Sequence, residues 1–170
     1  MKNKKGFTLV ELLAVIVILA LIMGIAVVSI GGVLDSAKKS TFKENAASMI
    51  DGVRKELLLQ NKLDAGTYIF TKDILDKGGT DSPLGGTFVI ADALSTASGG
   101  NCVGGTLITG GKLCKLASAP TCNQTATAYV TFDANRSATI CLAAGSGNPY
   151  IKHVSEADLL DSSKDVITEN

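Results

Sequence analysis

The chain has 170 residues, 46% apolar, 19% charged and 5% aromatic, with 16 basic and 16 acidic side chains. That length suits one domain with an appendage. The even charge excludes a strongly basic nucleic-acid coat, and eighteen Gly against three Pro follow neither a solenoid repeat nor a collagen period. Mean hydropathy is +0.30, high for a soluble protein, and the apolar residues are concentrated at the front.

Residues Leu12 to Leu34 carry no charge, and Leu12 to Val28 is an unbroken apolar or small run. As a helix these 23 residues reach roughly 34 Å, enough for a ~30 Å hydrocarbon layer. Lys2, Lys4 and Lys5 stand just before it, so the positive-inside rule keeps the N-terminus cytoplasmic and sends the bulk of the chain outward. An ordinary signal peptide cut near Gly24-Ile25-Ala26 fits this pattern, as does a plain single-pass anchor. Both must explain Glu11, inside the front edge of the apolar segment. A carboxylate at mid-membrane costs about 2.5–3.5 kcal/mol, and an anchor gains nothing from it. An intramembrane carboxylate marks a partner or a function, so a cation that could meet it is the thing to look for.

The nine residues Lys5-Gly6-Phe7-Thr8-Leu9-Val10-Glu11-Leu12-Leu13 closely resemble the class III signal of type IV pilins and pseudopilins, followed by the expected apolar helix. The resemblance implies that a prepilin peptidase cuts between Gly6 and Phe7 and that the new N-terminus at Phe7 is methylated. It also gives Glu11 an assembly role, neutralising the terminal amine of a neighbouring subunit. Two charges about 4 Å apart attract by ~4 kcal/mol at an effective dielectric of 20. Glu11 also lies one helical turn from Phe7, so an intrachain pair is open to it as well. Taking three lysines with the leader from the 16 basic residues leaves 13 against 16 acidic, a side-chain balance of −3.

After Leu34 the pattern turns amphipathic: Phe42, Ala46, Met49 or Ile50, Val53 and Leu57 recur at three-to-four spacing. Lys38, Lys39, Lys43, Asp51, Arg54 and Lys55 fall largely on the other faces. One helix is expected from Phe7 to about Gln60, roughly 80 Å long. Gly24 and Gly31-Gly32 can loosen it. Many pilins carry a proline near position 28, where this chain has Val28, which leaves that family's kink in question. Ala20 and Gly24 form a small-xxx-small pair that permits close helix approach, a pattern that also arises by chance.

Residues 63–170 are Gly/Ser/Thr-rich and read as short strands separated by turns. Strands are expected at Thr67–Thr71, Gly86–Ala91, Thr106–Thr109, Ala126–Asp133, Ser137–Leu142 and Tyr150–Val154. The strongest hairpin turns around Ala134-Asn135, and Ser155-x-x-Asp158 opens a short helix. An antiparallel sheet laid on the amphipathic half of the long helix gives an α+β class, which the resemblance makes a pilin fold. The expected organisation is a cleaved leader at 1–6, a long helix at 7–62 whose 7–34 part is transmembrane or filament core, and a β-rich head at 63–170.

So small a core with few aromatics calls for staples, and Cys102, Cys114, Cys122 and Cys141 all lie on the exported side, where disulfides persist. Their spacing matches no CxxC metal site. Two disulfides have three possible connectivities. Short loops close most easily, which favours Cys102–Cys114 with Cys122–Cys141. A disulfide near the C-terminal side also resembles the bounded surface loop of many pilins. Ser95–Asn101 and Thr121–Thr125 read as polar and exposed.

The sequence holds no GxSxG, HExxH or GxxxxGK[ST] motif, so neither an enzyme nor a cofactor or metal site is expected. His153, the only histidine, reads as a strand or surface residue. Asp73, Asp76 and Asp81 lack EF-hand spacing and read as a solvated loop. Asn123-Gln124-Thr125 and Asn135-Arg136-Ser137 have the form of glycosylation acceptors.

The resemblance implies a structural subunit, read as a major pilin, of a filament serving motility, adhesion or DNA uptake. Its implied partners are other copies of itself, the prepilin peptidase, the assembly machinery, the membrane before assembly, and a host or abiotic surface. Its implied course runs from the cytoplasmic membrane to an extracellular pilus. A secretion or competence pseudopilin is the alternative within the family, and a membrane-anchored extracellular domain the alternative outside it.

Overall fold

The computed structural model describes residues 7–70, 81–90, 101–102, 105–108 and 113–168, with the side chains of 26–30, 70 and 101–102 left out. The chain divides into two compact units, Met1–Ala37 and Lys38–Asn170. Helix α1, Leu9–Leu59, begins in the first and ends in the second.

Both ends of α1 have a local cause. Thr8 caps the start. Its Oγ1 accepts from the Glu11 backbone N–H at 3.3 Å, and Glu11 Oε2 accepts from the Thr8 N–H at 2.8 Å and hydroxyl at 2.9 Å. This reciprocal capping box satisfies donors that a helix start leaves open. At the other end Lys62 N–H donates to Leu57 O at 2.9 Å and Asn61 N–H to Leu58 O at 3.1 Å. Asn61 stands at φ 51°, the left-handed position that a Schellman C-cap requires and that Asn tolerates.

In the first unit the apolar side chains of α1 are exposed, from 49% at Val17 to 79% at Leu9. Among the described residues no helix is long and apolar enough to cross a membrane. The side chains of residues 26–30, inside the apolar run Leu12–Leu34, lie outside that description.

In the second unit the predicted stripe of Phe42, Ala46, Met49, Ile50, Val53 and Leu57 is buried, with both Met49 and Ile50 inside. It packs on one face of an antiparallel sheet. The strands are β1 (Gly66–Phe70), β2 (Asn101–Cys102), β3 (Gly105–Leu107), β4 (Leu113–Leu116), β5 (Tyr129–Phe132), β6 (Ala138–Leu142), β7 (Tyr150–Ser155) and β8 (Ile167–Thr168). Among the described residues the sheet has the order β2-β3-β4-β1-β5-β6-β7-β8. Every pairing is antiparallel.

Strand alternation sorts the side chains. Tyr68, Val130, Phe132, Ile140, Leu142 and Ile151 turn to the helix, while Tyr129 and Cys141 form a second cluster with Cys122, Ile69 and Tyr150. The hairpin β5–β6 turns where expected: Asp133 Oδ1 accepts from the N–H groups of Asn135 and Ser137, both at 2.8 Å, and Arg136 takes φ 64°. Between β6 and β7 the register shifts near Cys141, and His153 stands at φ 49° there.

Five of the expected strands appear with bounds moved by up to three residues, the expected ends Thr71 and Thr109 lying outside the described residues. Gly86–Ala91 does not: Thr87 forms only an isolated bridge with Asp81, while Val89 bonds Ala143 O and supplies its own carbonyl to Ala128 N. Ala91 lies outside the described residues. Strands β2, β4 and β8 were not anticipated. A short helix α2, Glu156–Leu160, follows Ser155, whose hydroxyl accepts from Asp158 N as the capping pattern predicts.

Candidate functional site

The sequence places its strongest functional signal at the start of α1, and the capping box fixes what that start looks like. Phe7 precedes the helix, non-helical and 84% exposed. Thr8 is the N-cap and Glu11 the third helical residue, where a negative charge meets the positive end of the helix dipole. Both hydrogen bonds to the Glu11 carboxylate fall on Oε2. Oε1 takes none among the described residues, and an ionised carboxylate has acceptor sites to spare for a cation. The carboxylate is therefore oriented by its own chain while keeping one oxygen free. Gly6, the other residue of the expected cleavage site, lies outside the described residues.

Beyond Glu11 the first unit offers an apolar helical surface without a partner. Leu9, Leu13, Ile16, Leu19 and Met23 are all more than half exposed. Nothing approaches within 4 Å of where a Cβ on Gly24, Gly31 or Gly32 would lie. In the second unit Asp51, Arg54, Lys55, Leu58 and Leu59 line an open recess of about 460 Å³ along one helix face.

The cysteines staple the head. Cys122 and Cys141 are bonded with Cα atoms 5.8 Å apart, tying the loop before β5 to β6. Cys114 is also disulfide-bonded. The expected Cys102–Cys114 pair involves a side chain outside the described residues. Thr121–Thr125 is not uniformly exposed, because the bonded Cys122 is buried within it, and Ser95–Asn101 falls largely outside the described residues.

His153 sits on β7 with its Nε2 against the Tyr129 hydroxyl. Tyr129 gives its one proton to Pro120 O at 2.8 Å, so Nε2 is the donor in the contact with His153. Burial pushes the Tyr129 phenol above its ordinary pKa, which keeps that proton in place. Asp73 and Asp76 lie outside the described residues, and Asp81 is exposed. Among the described residues no three His, Cys, Asp or Glu side chains gather as a metal site. The two Asn-x-Ser/Thr segments differ: Asn123 Oδ1 accepts from the Thr125 N–H at 3.0 Å and hydroxyl at 3.1 Å. At the second, the Asn135 and Ser137 backbones both turn to Asp133.

The basic residues of α1 were read as lying largely on the faces away from the apolar stripe, yet Lys39, Lys43 and Arg54 reach the C-terminal segment. Arg54 reaches Glu156 with both terminal nitrogens, and Lys43 reaches the carbonyls of Asp161 and Lys164. Periodicity along one helix carries no sign of partners more than 100 residues away.

Residues 1–34 match the family model for the prokaryotic N-terminal methylation motif, the class III signal of type IV pilins and pseudopilins. The chain carries that motif. No curated protein and no solved structure matches the chain.

Proposed function

We propose that this chain is the precursor of a type IV pilin, a structural subunit of the major-pilin kind. The observation that carries the reading is the methylation motif at residues 1–34, continuous with a helix that enters a disulfide-stapled head. In this reading residues 7–34 hold the precursor in the cytoplasmic membrane with the head outside. The prepilin peptidase cuts between Gly6 and Phe7, and the Phe7 amine is methylated. The apolar surface that faced lipid then packs against the same surface of other copies in a helical filament.

Glu11 supplies the specificity of that packing. Burying a lone carboxylate in an apolar filament centre is costly, and so is burying a lone amine. Together they offset each other's desolvation, by Coulomb attraction of ~4 kcal/mol at 4 Å and an effective dielectric of 20. The free Oε1 is the oxygen the amine of an adjacent copy would meet, and Thr8 holds the carboxylate ready. The staple of Cys122 and Cys141 suits a head facing an oxidising medium, which favours an exposed pilin over a secretion pseudopilin.

Replacing Glu11 by Val tests the mechanism. The expected outcome is membrane-bound monomer at the wild-type level with few filaments in a sheared surface fraction. Normal filament yield would remove Glu11 from assembly.

A further inference from the structure

The C-terminal segment does more than complete the sheet. Upstream of Phe42 no described side chain of α1 is buried, and Val33 and Leu34 are at least half exposed. The first apolar grip of the head on α1 is thus Phe42, whose ring stands 5.5 Å from that of Phe88. On either side of it the grip is polar and comes from the C-terminal segment. Lys39 Nζ lies 4.0 Å from Asp165 Oδ2, and Lys43 Nζ reaches Asp161 O at 3.5 Å and Lys164 O. Further along, Arg54 pairs with Glu156.

The acceptors facing Lys43 are of a particular kind. Asp161 is the C-cap of α2, and its carbonyl, which also accepts from the Lys164 N–H at 3.3 Å, lies at the negative end of that helix's dipole. An ammonium group placed there meets the carbonyl's second lone pair. The segment is also ordered from within: Lys164 pairs with Asp158, Asp161 Oδ1 accepts from the N–H and hydroxyl of Ser163, and Asp165 Oδ1 accepts from Ile167 N at 3.3 Å. Leu159 and Ile167 anchor it in the core. The segment is therefore preformed, and the carbonyls of Asp161 and Lys164 and the carboxylates of Asp165 and Glu156 meet cations of α1.

We infer that residues 155–168 are a latch that sets where the head's hold on α1 begins, with Lys43 as its bolt. Closed, the latch extends that hold to Lys39, ahead of the apolar grip at Phe42, and reinforces it at Lys43. Open, it leaves α1 held from Phe42 onward by the apolar stripe alone, and residues 38–45 exchange faster with solvent as a stretch of helix that has lost its polar support. The latch is a property of the second unit and does not depend on the filament reading.

Hydrogen exchange read by mass spectrometry on the full chain in detergent micelles tests this. Lys43→Met keeps the aliphatic stem and removes the donors, whereas Lys43→Arg keeps donors. The expected result is that amides in 39–45 exchange about tenfold faster in Lys43→Met while those in 49–57 and in β5 and β6 are unchanged, because local opening is separable from global unfolding. Lys43→Arg stays close to wild type. Unchanged exchange in 39–45, or a uniform rise across the head, overturns the latch. Should Lys43→Met fail to fold, the wild-type chain answers the same question. Salt of about 0.5 M, where screening reaches within a few ångströms, raises exchange in 39–45 selectively if the latch is polar, and an absent effect contradicts it.

Discussion

Glu11 is held by two hydrogen bonds from Thr8, and those bonds give it a role in starting the helix besides the assembly role proposed for it. The Thr-x-x-Glu spacing was in the sequence as a capping box, but the apolar run after it drew the reading towards a membrane partner for Glu11. The box shows that the carboxylate is positioned by its own chain. Lys43 and Arg54 teach the opposite lesson, since their partners near the C-terminus leave no local trace in the sequence. At Cys122 and Cys141 loop length was informative, because the bond closes a separation of 19 residues. Replacing both by Ala is expected to lower stability by about 3 kcal/mol in the chain-entropy account, measured by urea unfolding of the head signal in the full chain. A loss below ~1 kcal/mol would mean that the loop is held by Tyr129 and its bond to Pro120 instead.

Among the elements, α1 was the most legible, because its buried stripe repeats with the helical period and each end carries a capping residue. The strands were legible where β-branched and aromatic residues alternate, as in Tyr129–Phe132 and Ala138–Leu142. They were not legible at β4, four residues whose place between β1 and β3 is set by pairing across the sequence. Gly86–Ala91 has strand composition, yet its backbone bonds divide among Ala143, Ala128 and Asp81 rather than forming a ladder. Helix α2 has its own pH signature. The bond from Lys164, and next that from Ser155, holds the Asp158 carboxyl below its ordinary value of 3.8; bonds from the Ser163 hydroxyl and N–H do the same for Asp161. A depressed folded-state pKa contributes stability that is present above the ordinary value and lost as pH falls through the folded one. Protection of α2 amides should therefore hold at neutral pH and decline below about pH 4, before β5 and β6 open. Exchange at stepped acid pH checks this, and simultaneous loss in all three would contradict it.

At the scale of the whole molecule the chain joins two kinds of surface. The second unit buries its apolar stripe in a stapled core, whereas the first leaves Leu9 to Ile25 exposed in a single copy. Apolar surface of that extent needs lipid or protein to cover it, and it lies directly after the residues that open the methylation motif. The motif is confined to residues 1–34, so it says nothing of the head. The central claim is that the working subunit begins at Phe7. Intact mass and N-terminal peptide mass spectrometry on protein sheared from the cell surface test it directly. A chain beginning at N-methyl-Phe7 is the predicted result; a surface chain that retains Met1, or that begins after Ala26, would contradict the account.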